Sequence, residues 1–147
     1  MSLKDDLIKS HVEILDAIDG LSSEELGRPA TIGAWSARDV ILHIAMWEGE
    51  VVKALAIWRT GHEVDWSYAS DFLKFNDFWH QNFSHLSVDQ VMRLFNLTHK
   101  ALVDDVASVA ADVWQKRGEP RWIRDISIEH NNEHIPRLTA FKRSLGK

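Results

Sequence analysis

The chain has 147 residues, a net charge of -5 and no cysteine. That length suits one domain, 1–147, with a core large enough to need no staples, and the missing cysteine removes disulfides, thiolate metal ligands and a cysteine nucleophile. Lys and Arg are scattered rather than grouped into a basic stripe, so nucleic acid is excluded as a partner.

Apolar residues recur with a period near 3.6, and few segments alternate with period 2, so the fold class is all-α. The first long helix is expected from about Leu3 to Asp19, with Leu7, Ile8, Ile14, Leu15 and Ile18 on one stripe and Gly20 as its stop. A single turn follows from Ser22 or Ser23 to Leu26, then a loop through Pro29 to Ala34.

Ser36 opens the second long helix as its N-cap, with Asp39 placed where a carboxylate suits the free amides and the dipole. It runs to about Thr60 and stops at Gly61. A long connection from His62 to Ser87 contains a short helix, about Asp71 to Phe83, rich in Phe and Trp. Ser87 and Gln90 form a capping box for the third long helix, expected to reach Ala111. After a loop marked by Gly118 and Pro120, the fourth runs from about Trp122 to Leu145, with a kink expected at Pro136. These elements predict a four-helix bundle with a long crossover, which lets the second and third helices lie parallel.

Charges interrupt every apolar run before membrane-spanning length, and the MSLKDDLIKS segment has no apolar signal core. A cytoplasmic protein without membrane contact is the expectation.

His130 and His134 are four residues apart, so on a helix they share a face with Cβ atoms about 5–6 Å apart. On a helical wheel they fall in the stripe of Ile123, Leu138, Phe141 and Leu145, facing the core. His43 falls on the core stripe of the second helix with Val40, Met46 and Trp47, and Glu50 shares that face. His11 and His99 lie on the apolar stripes of the other two helices, whereas His62, His80 and His85 fall in the crossover and read as surface residues. Two readings of this concentration stand on the wheel alone. One is a three-ligand site for a divalent transition metal; with imidazole donors, zinc, nickel, iron and manganese are the candidates. The other is a cluster of histidines bonded to one another. Glu50 is the candidate carboxylate for a base or for orienting a ligand, against an ion pair with Lys53. Trp47 and Trp58 are candidates for a pocket wall, against plain packing.

The run WSARDVILHIAMWE, the Trp-rich middle and the EHNNEH of the last helix resemble the DinB/YfiT-like superfamily of metalloenzymes over nearly the whole chain. The helix-two segment and aromatic crossover are most similar to its ClbS/DfsB branch. The resemblance implies an up-down-down-up bundle and a metal held by His43, His130 and His134. It also implies a small-molecule substrate, a low-molecular-weight thiol as co-substrate in some members, and a homodimer. The function expected is therefore a metal-dependent hydrolase or thiol-dependent transferase, with a detoxifying role in view. The alternatives are a metal-independent toxin-protection hydrolase of the ClbS kind and a non-catalytic binding bundle.

Overall fold

A computed structural model describes residues 2–147 and contains no β-strand among them. In chain order the elements are α1 (Leu3–Ile18), α2 (Ser23–Gly27), α3 (Ala37–Arg59), a 3-10 turn (Trp66–Ala69), α4 (Phe72–Phe83), α5 (Val88–Ser108) and α6 (Ala111–Arg117). The last rod is continuous: α7 (Arg121–Arg124), a π turn (Asp125–Glu129) and α8 (His130–Ser144).

Four helix starts share one chemical device. Ser2, Ser22, Ser36 and Ser87 each accept from the amide three residues on, and Asp5, Glu25, Asp39 and Gln90 reach back to the serine amides. Each box satisfies two amides that the first helical turn leaves without partners.

Side-chain contacts give the direction of each helix. Arg38 reaches the carbonyls of Phe83 and Leu86, Glu48 meets His99, and Arg59 reaches Ser108, so α3 and α5 run parallel. Asp6 pairs with Arg124, Ser10 with Asn132 and Lys142 with the Asp16 carbonyl, so α1 and the last rod are parallel too. Leu7 shares an apolar cluster with Leu102, and Ile14 shares another with Val91, which sets α1 against α5 antiparallel. The expected up-down-down-up bundle is what forms.

The core has two apolar halves. Ile14, Val40, Ile44, Phe95, Leu138 and Phe141 fill one. Leu7, Val51, Leu55, Trp58, Leu102 and Ile123 fill the other. Between them lies a buried polar layer of Ser10, Glu48, His99, Ser127 and Asn131, with His11 half-buried beside them.

One expectation is revised. The third long helix stops at Ser108 rather than Ala111: the Ser108 hydroxyl donates to the Asp105 carbonyl at 2.8 Å, and Val109 turns extended. A separate α6 follows and stacks Trp114 on Trp58 at 5.3 Å, with the Arg117 guanidinium 3.9 Å from the Trp58 ring centre. Trp58 therefore belongs to the core, not to a pocket wall. Pro136 lies inside α8, and a π turn precedes that helix at Asp125–Glu129.

Candidate metal centre

His43 comes from the second turn of α3, whose start the Ser36–Asp39 box fixes. His130 and His134 come from successive turns at the start of α8. The structure brings all three together: His43 Nε2 and His134 Nε2 lie 2.9 and 3.1 Å from His130 Nε2. One donor atom from each residue falls within 4.8 Å of the others. The rings meet edge to face, with centres 4.8–5.0 Å apart.

Burial lowers all three imidazole pKa values. His43 is pushed down to about 3, by burial first and then by His130 and His134. His134 is pushed to about 4, by burial and then by His130 and Arg137. His130 is lowered by burial, against the opposing pull of the Ile126 backbone and Glu133. At neutral pH the three rings are therefore uncharged and can present lone pairs, the state a metal requires.

The donor set fits a divalent transition ion. A ring nitrogen carries either one N–H or one lone pair, so His130 Nε2 cannot bond well to both neighbours at once. Three neutral imidazoles that bring one donor atom each within 4.8 Å of the others would hold one divalent ion between them. The His130 amide bonds the Asp125 carbonyl, five residues back, which leaves the Ile126 carbonyl without its usual amide. The His130 ring lies near the Ile126 backbone, which opposes the effect of burial on its pKa. Ligating histidines commonly direct their second nitrogen at a backbone carbonyl.

His43 depends on the crossover. Its Nδ1 is buried without a hydrogen-bond partner among the described residues. The Asn76 side chain of α4 lies against it and favours the charged ring, partly offsetting burial. Asn76 Oδ1 also accepts from Trp47 Nε1 at 3.1 Å, which fixes its orientation. Replacing Asn76 with leucine is expected to lower metal affinity about 10–100-fold, with Asn76→Asp retaining most of it, as measured by chelator competition. Equal affinities for the two variants would remove Asn76 from the centre.

The triad forms part of the wall of a cavity of about 650 Å³. Ile32, Trp35, Val40, Trp47, Phe72 and Ile126 supply apolar wall, and Asn76, Asp125, Glu133 and Arg137 supply polar groups. The loop before α3 closes one side through a tight turn: Ile32 and Trp35 exchange backbone bonds of 2.8 and 3.0 Å, and Gly33 sits at φ +61°. Without a side chain, glycine adopts that left-handed conformation freely.

Other candidates lie elsewhere. Glu50 does not line the cavity; its Oε2 accepts from the Tyr68 hydroxyl at 3.1 Å and pairs with Lys53 at 2.8 Å. His11 and His99 do point inward, but into the separate polar layer, where they stack 3.9 Å apart. His62, His80 and His85 are exposed. Asn76, Asn131 and Ser127 were not singled out from the sequence. The last two carry a usable signal, since they fall in helical phase with Ile123 and Leu138.

Neutral buried histidines also make stability depend on pH. His11, His43 and His134 sit at about 4, 3 and 4 in the folded state, against an unfolded value near 6.5. Below about pH 6.5 the unfolded chain binds more protons than the folded one. Stability of the metal-free protein is thus full above that value and falls as pH drops toward 4. The slope is up to about 1.4 kcal/mol per pH unit for each histidine. Urea midpoints that stay level from pH 7 to 5 would contradict these neutral assignments.

An all-α up-down-down-up bundle with three inward imidazoles beside an aromatic cavity defines a helical-bundle protein with a candidate metal centre. A family model described as the DinB superfamily matches residues 7–138, and the chain belongs to that superfamily. No curated protein and no solved structure matches it.

Proposed function

We propose that this DinB-superfamily chain is a metal-dependent enzyme acting on a small molecule with an apolar body, by hydrolysis or by transfer to a low-molecular-weight thiol. The observation that carries the reading is the convergence of His43, His130 and His134 Nε2 at the wall of a cavity lined with Trp35, Trp47 and Phe72. Zinc, nickel, iron and manganese are the ions that imidazole donors suit. When bound, such an ion supplies Lewis acidity and lowers the pKa of water or a thiol.

The chain's own residues would do the rest. Trp35, Trp47 and Phe72 take the apolar body out of water. Asn76 lies beside the His43 ring and would orient it. Glu133, exposed at the cavity and one turn from His130, is placed to hold or release a proton. Glu50, tied to Tyr68 and Lys53, acts on the site only if those bonds open. Arg137 faces the same space and suits an anionic group on the ligand.

The 2.9 Å contact between His43 and His130 favours a second reading, in which the histidines bond each other and a ClbS-like hydrolase works without metal. Metal analysis of untagged protein separates the two. One ion per chain is expected after loading with zinc, nickel, iron or manganese. No stoichiometric ion after all four would overturn the metal reading in favour of the second.

A further inference from the structure

The buried polar layer is unused by the triad, yet it touches the segment that aims His130. Glu48 is 1% exposed, and its Oε1 accepts from Asn131 Nδ2 at 3.0 Å and lies 3.3 Å from His99 Nδ1. The same Asn131 amide nitrogen donates to the Ser127 carbonyl at 2.8 Å, inside the π turn. A side chain thus serves a carbonyl of that turn: Ser127, through Asn131.

A π turn is poorer than α-helix and persists only where something holds it. It inserts one residue, and one residue is about 100° of rotation. Were the turn to relax to α geometry, everything after it would rotate relative to α7. The π turn packs against α1 and α3, Ile123 before it is fully buried, and α8 after it is anchored on α1 through buried Leu138 and Phe141, so relaxation would put the two anchored segments out of register with His130 and His134 at the junction.

The layer is costly. Glu48 Oε2, Asn131 Oδ1, Ser127 Oγ, His99 Nε2 and His11 Nδ1 are buried without a hydrogen-bond partner among the described residues. Apolar side chains of similar volume would serve stability at least as well.

We propose that Glu48 and Asn131 are positioning residues: the buried carboxylate grips the amide, the amide holds the π turn, and the π turn points His130 and His134 at His43. The inference rests on the metal reading only for its consequence in ion affinity, since the clamp itself exists without an ion.

The test uses Asn131→Leu, Glu48→Leu and Glu48→Gln, the last keeping an acceptor oxygen for Asn131. Two readouts are taken on metal-free protein: amide hydrogen exchange across 125–131 and the NMR contact between the His43 and His130 rings. Zinc affinity is the third. The leucine variants are expected to speed exchange in 125–131 at least about tenfold beyond the rest of the chain and to lose the ring contact. Their zinc affinity should fall about 10–100-fold, with Glu48→Gln within about threefold of the parent. A ring contact retained in both leucine variants, or exchange raised evenly over the whole chain, overturns the proposal. If the leucine variants do not fold, Asn131→Ser, too short to span both acceptors, is read the same way. A parent protein that binds no zinc but shows the metal-free changes supports the clamp and counts against the metal reading alone.

Discussion

Replacing His130 with alanine is expected to abolish stoichiometric metal binding, with affinity for zinc or nickel falling by more than about a hundredfold. The reason is positional. His130 Nε2 is the common neighbour of the other two, at 2.9 and 3.1 Å, so its loss leaves His43 and His134 without the atom that links them. The loss should exceed the 10–100-fold typical of changes behind the ligands, because a bond to the ion itself is removed. The fold should survive, since His130 is only half-buried and the last rod is anchored by Ile123, Leu138 and Phe141. Circular dichroism with metal titration checks both halves. A folded His130→Ala protein that still binds one ion at parental affinity would show that the three rings do not form the centre.

The second large effect is on stability. Phe95 is fully buried in the apolar half that holds Ile14, Val40 and Leu138, and its ring stacks 4.3 Å from His11. Phe95→Ala is expected to cost about 3–5 kcal/mol, combining lost transfer energy with a cavity that rigid helices cannot close. Domains of this size are stable by only about 5–15 kcal/mol, so the urea midpoint should drop sharply. A loss below about 1 kcal/mol would mean that α5 does not pack as described.

Much of this architecture is written locally. Serine followed three residues later by Asp, Glu or Gln marks the starts of four helices, and two of these boxes, at Ser36 and Ser87, are enough to place α3 and α5. The i, i+4 spacing of His130 and His134 and the stripe position of His43 place the imidazoles inside. What stays hidden is register across helices. The wheel puts His130 and His134 in the core-facing stripe, but Ser127 and Asn131 are the buried polar residues of that face, and the half-buried histidines line the cavity. A π turn has no proline or glycine to announce it; it shows only when Glu48, 83 positions away from Asn131, meets that residue. Trp47 and Trp58 look alike on the helix-two wheel, and only the neighbours they meet, Asn76 and Trp114, separate a wall from a core residue.

Because α3 and α5 point the same way, the chain must travel back along the bundle before α5 can begin, and that return path is the aromatic crossover. Its helix α4 lays Phe72 and Asn76 over the histidines and buries Trp79 against Trp47. The roof of the chamber is therefore a by-product of connectivity, carried on a segment outside the four main rods. Ligand preference can drift by exchange of side chains on that roof while the imidazoles and the frame beneath them stay unchanged.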